Sequence, residues 1–175
     1  MNTNKLSIES RRLLLVPVNL KYKENIFKEF TPEIVKYMFP ESPIVNQETI
    51  DYIESATQLN KDGHDFAVAI LDKLTKEYLG SGGIHKINTK TPELGIWIKK
   101  SAHAKAYGKE AVTALKEWAD ANCDFDYIIY PVVAVNYASR RIPESLGGVI
   151  FCHFELKNAA GEAFDGVEYR IYPKE

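Results

Sequence analysis

Cysteine is almost absent. Cys123 and Cys152 are the only two in 175 residues, too few for a disulfide framework, and the expected compartment is the reducing cytoplasm. Long apolar runs are missing too: no stretch reaches the ~18 residues a membrane span needs. The opening segment MNTNKLSIESRRLLLVPV has a short apolar run and no small-residue cleavage site, so it does not read as a signal peptide. Neither sign of charge dominates. Lys and Arg number 22 against 24 Asp and Glu, a net charge of -2, which offers no overall field for nucleic acid. His64, His85, His103 and His153 show no metal-ligand spacing with each other or the cysteines, so no metal is expected. There is no internal repeat, no low-complexity tract and no long linker. What remains is an ordinary globular mixture, 45% hydrophobic and 26% charged, sized for one domain spanning residues 1–175.

The periodicity predicts a first strand over 11–18, stopped by Pro17, then a helix over 19–30 with Asn19 as its cap. Thr31 and Pro32 restart a helix. The stretch 46–63 places Ile50, Ile53, Ala56 and Thr57 on one side of another, which Gly63 ends. The period then changes. Residues 65–72, 78–87 and 93–100 read as three strands of an antiparallel meander. A helix over 107–123 gathers Tyr107, Ala111, Leu115, Trp118 and Ala119 on one face, with Lys109, Lys116 and Asp120 elsewhere. The nearly continuous apolar run 127–135 reads as a strand buried on both faces. A helix over 138–148 and strands near 149–156 and 166–173, around the turn NAAGE, complete an α+β chain.

The stretch HAKAYGKEA (103–111) has the look of a phosphate-binding loop running into a helix. A helix N-terminus exposes unpaired N–H groups at the positive end of its dipole, and such loops favour glycine so that several N–H groups can converge. A triphosphatase P-loop is excluded: His103 stands where its first glycine belongs and Glu110 where its magnesium-binding hydroxyl belongs. The dinucleotide fingerprint is excluded as well, lacking both its glycines and a suitable preceding strand.

His103-Ala104-Lys105-Ala106-Tyr107-Gly108 resembles the pyrophosphate loop Q/R-x-x-G-x-G/A of the GNAT superfamily of N-acetyltransferases. IESRRLLLVPV resembles the opening strand of its RimJ/RimL-like branch, the ribosomal-protein alanine N-terminal acetyltransferases. ELGIWIKKSAHAKAYGKEAVTALKEWA resembles that branch's central strand, loop and helix, and VNYASRRIPESLGGVI its following signature. The three motifs keep the family's order and spacing over nearly the whole chain. The resemblance implies a GNAT fold, with a mostly antiparallel sheet splayed where acetyl-CoA inserts its pantetheine arm like an extra strand. It places Ile96, Trp97 and Ile98 along that arm, and His103, Ala104, Lys105, Ala106, Tyr107, Gly108 and Lys109 around the pyrophosphate. Where the family has glycine this chain has Ala104 and Ala106. Each costs ~1 kcal/mol if its φ is positive and nothing if the helix starts early; the N–H donors survive either way.

Acetyl transfer from a thioester to an amine needs a deprotonated nucleophile, donors for the oxyanion and a proton for the departing thiolate. The resemblance implies Glu93 as the base, facing the substrate pocket; it also reads as a solvated turn residue. His85, on the adjacent strand, is the second candidate, beside a structural reading. Ser139 is implied as the proton donor to the CoA sulfur and also reads as the N-cap of a helix over 140–147. Pro143, without an N–H, leaves the Ser139 carbonyl free. Asn136 is implied to bond the pantetheine or acetyl region, and Arg140 and Arg141 to reach CoA phosphates. Gly148 stands where the family has phenylalanine, which implies a missing apolar contact. FPESPIV (39–45) suits a wall of the acceptor pocket.

The expected activity is transfer of acetyl from acetyl-CoA to an amine, a protein N-terminus or a small molecule, by direct attack in a ternary complex. The alternative is an acyl-CoA sensor that has lost turnover, for which Ala104, Ala106, His103 and Gly148 speak. No nucleic acid or membrane partner is expected. Both a monomer and a weak homodimer fit the sequence.

Overall fold

The computed structural model describes residues 1–38, 40–158 and 161–174. Phe39 of the expected pocket wall and Ala159 and Ala160 of the expected turn lie outside them. Eight strands, β1 (Ile8–Glu9), β2 (Leu13–Pro17), β3 (Phe66–Asp72), β4 (Tyr78–His85), β5 (Glu93–Ile98), β6 (Ile128–Val133), β7 (Val149–Lys157) and β8 (Ala163–Ile171), form one sheet in the order β1-β2-β3-β4-β5-β6-β8-β7. Every neighbouring pair is antiparallel except β5 with β6.

Helices α1 (Lys23–Glu29), α2 (Pro32–Val35) and α3 (Asn46–Asp62) lie between β2 and β3, α4 (Tyr107–Asn122) between β5 and β6, and α5 (Tyr137–Ser145) between β6 and β7. One core joins α4 to the sheet, with Leu15, Phe66, Ile84, Leu94, Leu115, Val167 and Ile171 all but inaccessible to solvent and Ile142 of α5 packed against it. The second lies on the other face, where Ile26 and Ile53 from α1 and α3 meet Ala67, Ala69 and Tyr78. Burying a Leu or Ile contributes ~1.5–3 kcal/mol, so these two layers fix the sheet between its helices.

The structure extends the sequence reading in several places. Strand β1 is too short to leave a period in the sequence. The buried stripe of α3 is Thr49, Ile53, Ala56 and Asn60, shifted from the apolar one because Asn60 bonds the backbone of β3: its amide donates to Ala67 O at 2.9 Å and accepts from Ala67 N at 2.8 Å. Lys116, expected away from the buried face of α4, is 4% exposed. Its charge is met by Asp120 at 2.6 Å and by the ring of Phe125. Helix α5 begins earlier than expected, with Asn136 and not Ser139 as its N-cap; the Asn136 side chain accepts from Ser139 N. Gly148 fits a close approach rather than leaving an apolar gap, since a Cβ there would lie 2.8 Å from Pro143 O.

Candidate active site

Strands β5 and β6 are bridged at one position only, Glu93 opposite Ile129. Beyond it they part. Lys99 N donates to Leu79 O at 2.8 Å, so the backbone groups of Trp97 and Gly95, in step with residue 99, face β4, and those of Ile96 and Ile98 face the opening. The gap is therefore walled by backbone donors and acceptors without a strand to pair them, a slot shaped for an extended polar chain.

At the wide end of the gap the chain turns through residues 99–106 into α4. Ala104 and Ala106 have φ of 61° and 59°, so both stand in the left-handed region that favours glycine, and the early-helix alternative is overturned. The resulting loop directs the N–H groups of residues 104–109 away from any acceptor among the described residues; the first N–H bonded back is that of Glu110, to Ala106 O at 3.1 Å. Converging free donors at a helix start are an anion site. Lys105 and Lys109 are exposed beside it. Ala104→Gly and Ala106→Gly are each expected to stabilise the fold by about 0.5–1 kcal/mol. Left-handed alanine costs ~1–2 kcal/mol, of which the freedom glycine adds to the unfolded chain takes back ~0.4–1 kcal/mol. Thermal melting checks this, and an unchanged or lowered midpoint in both variants would contradict it.

The loop is anchored by two residues, His103 and Glu110, whose contacts the sequence did not reveal. His103 Nε2 donates to Ile98 O at 2.7 Å, and its own N–H bonds Lys100 O. His103 therefore pins the loop to the end of β5, and neither that ring nitrogen nor its amide is left for phosphate. Glu110, in the first turn of α4, accepts from Ser10 Oγ, Arg12 N and Arg12 Nε, each at 2.7 Å. Burial opposes its charge, but these donors hold the carboxyl below the usual range. Arg12 also lies 4.6 Å over the Tyr107 ring, which ties the β1–β2 turn to the loop.

The remaining expected residues divide by face. Trp97, expected along the pantetheine arm, turns its backbone to β4 and its ring to Phe30 and Tyr78 in the second core. Glu93 projects on that same face at the closed end of the gap, 35% exposed in its side chain and 3.3 Å from Lys86 Nζ. His85 is its direct partner across the strands. Ser139 lies on the opposite face, its Oγ 2.9 Å from Tyr130 OH. Tyr130 is buried; burial, against the opposing effect of the Ser139 bond, pushes its phenol up to about 12, so it keeps its proton at neutral pH. Arg140, expected at the phosphates, turns inward. Its Nε donates to Tyr169 OH at 2.9 Å and its Nη1 to Ala134 O at 3.0 Å, so it braces α5 against β6 and β8. Among the described residues no three His, Cys, Asp or Glu side chains gather into a metal site, and no helix is long and apolar enough to cross a membrane.

A family model described as an acetyltransferase (GNAT) domain matches residues 12–149. No curated protein sequence matches the chain. Among solved structures, an acetyltransferase of the GNAT family from Bacillus anthracis superposes with a TM-score of 0.83 at 21% identity, covering 97% of this chain and 100% of its own. An acetyltransferase from Salmonella typhimurium that modifies the N-terminal serine of a 50S ribosomal subunit protein gives 0.82 at 15%, covering 97% and 100%. The microcin self-immunity acetyltransferase MccE, in complex with acetyl-CoA and AMP, gives 0.81 at 17%, covering 93% of each chain.

Proposed function

This chain belongs to the GNAT acetyltransferase family and is an acetyl-CoA-dependent acetyltransferase, and we propose that it acetylates a primary amine by direct attack on the thioester. The observation that carries this reading is the gap beyond Glu93 and Ile129, past whose open end the chain turns into the free N–H groups of residues 104–109. The pyrophosphate of acetyl-CoA would meet those donors, with Lys105 and Lys109 beside it. The arm would pair with the backbone of Ile96 and the N–H of Ile98, whose carbonyl is held by His103.

The two faces of the sheet then take different tasks. Glu93 stands on the side of α1–α3 and draws the substrate ammonium toward the closed end of the gap. Ser139 stands on the other side and gives its proton to the sulfur as the C–S bond breaks. Its partner Tyr130 holds the hydroxyl in place and stays protonated. Asn136, as the cap of α5, fixes the backbone N–H of Ser139. The likeness to the Salmonella enzyme supports a protein N-terminus as the amine; MccE supports a small molecule.

The test is release of CoA thiol with a panel of amines: peptides with N-terminal serine or alanine, spermidine, phenethylamine and free amino acids. The expected result is an acetylated amine with intersecting initial-rate lines. Parallel lines would overturn direct attack, and no acetylated amine would overturn the reading. Thermal melting accompanies it. Acetyl-CoA at 100 times its dissociation constant is expected to add ~2.7 kcal/mol, a rise of about 5–10 °C for a chain of this length, with ATP giving less.

A further inference from the structure

His85 ends β4 with its imidazole held from behind. Nδ1 lies 2.7 Å from Asp65 Oδ2, and Asp65 is 8% exposed. The other oxygen of Asp65 accepts the Lys86 amide at 2.9 Å. A carboxylate only accepts, so the shared proton sits on Nδ1, and in the neutral imidazole the lone pair is on Nε2. Among the described residues Nε2 has no hydrogen-bond partner. It lies over Gly95, where a Cβ would stand 3.7 Å from it with no closer neighbour. The missing side chain leaves the ring uncovered on the face, and at the level, where β5 separates from β6.

A structural histidine is normally satisfied at both nitrogens; this one is satisfied at one by a buried acid and presents the other. We propose that His85 is the proton acceptor for the incoming amine and Asp65 its positioning residue, a reading that rests on the amine acetylation proposed above. The arrangement is the one by which an aspartate keeps an imidazole in the basic tautomer in hydrolytic triads. Glu93, across from His85 and paired with Lys86, holds the ammonium and leaves the proton to His85. The other titratable groups facing the pair are His64, in the turn before β3, and Tyr52 of α3, both near enough to interact with the charge of Asp65.

The step balances. Nε2 takes one proton from R–NH3⁺, and the freed lone pair forms the C–N bond at the thioester carbon. The C–S bond breaks, and the thiolate takes the Ser139 hydroxyl proton. Ser139 is replenished by the second proton, which leaves the attacking nitrogen. His85 passes its own proton to water, so the net products are the amide, CoA thiol and one proton.

The experiment measures kcat/KM against pH for wild type, His85→Gln, Asp65→Asn and Gly95→Ala, using the N-terminal-serine peptide and phenethylamine, with acetyl-CoA affinity by calorimetry. His85→Gln is expected to lose at least ~100-fold, within the range a positioned general base contributes, together with the acid limb of the profile, at unchanged acetyl-CoA affinity. Asp65→Asn moves that limb to lower pH, because removing the carboxylate disfavours the imidazolium; a merely structural aspartate would not shift it. Gly95→Ala leaves the pair in place but crowds Nε2, and its rate falls at constant affinity. If His85→Gln keeps the wild-type rate and limb, this assignment is overturned and amine acetylation stands. If the wild type acetylates no amine of the full panel, both fall.

Discussion

Replacing Ile96 by proline is expected to weaken acetyl-CoA binding about 10–100-fold while the ladder between β4 and β5 stays standing. The asymmetry follows from which way each residue of β5 faces. Proline removes an N–H, and in a sheet it is tolerated only where that N–H is not in a ladder. The N–H of Ile96 faces the gap, while Gly95 and Trp97 hold β4. A carbonyl of the pantetheine arm left without its donor in the slot costs ~1–3 kcal/mol, which is the stated range of affinity at 1.4 kcal/mol per factor of ten. Calorimetry with acetyl-CoA reads the loss, and hydrogen exchange of the β4 amides shows whether the ladder persists. Wild-type affinity in a folded variant would refute the placement of the arm.

The second large effect concerns the seat of β5. Gly80→Ala is expected to destabilise the fold by about 3 kcal/mol, at the upper end for overpacking, or about 6–12 °C in melting temperature. A Cβ at residue 80 would lie 2.2 Å from Trp97 O and 2.9 Å from Ile98 Cα. Both are backbone atoms of the strand that walls the gap, so no rotamer change can relieve the contact and β5 itself must move. Acetyl-CoA affinity should fall with stability. A variant that melts like the wild type would mean that β4 and β5 are less tightly seated than described.

Much of this was legible from composition and spacing, and most of what was not depends on contacts distant in sequence. The meander, α4 and the loop before it announce themselves through local period and through the run from Glu93 to Lys109. The alternatives at Ala104 and Ala106 could not be separated, because alanine is compatible with either sign of φ and only the path of the chain decides. Asp65 and His85 are 20 residues apart, and nothing in their spacing marks them as partners. They meet because the β3–β4 register brings Phe66 opposite Ile84. His103 stood at a motif position and was read as a phosphate ligand, yet its ring turns back to the strand it follows. Arg140 likewise found a tyrosine on a strand 29 residues away. The buried stripe of α3 and the side of Lys116 were misjudged for another reason: a periodicity of apolar residues cannot register a polar side chain, such as Asn60, that is buried because it is bonded. The sequence motif thus marked the strand and loop of the candidate site, while the side-chain partners within it were set by long-range pairing.

The single bridge between β5 and β6 also bears on how the chain reaches its fold. β3, β4 and β5 follow one another through short turns, so each closes on its predecessor over a small loop, and β7 and β8 do the same in the other half. β5 and β6 are instead separated by 29 residues including all of α4, as a parallel connection requires, and parallel pairing is slightly weaker per residue. A ladder there gains less per residue than one between the antiparallel neighbours. The opening that acetyl-CoA would fill thus lies at the sheet's parallel seam, where a continuous ladder gains least per residue, and the sheet forgoes little by leaving it unzipped.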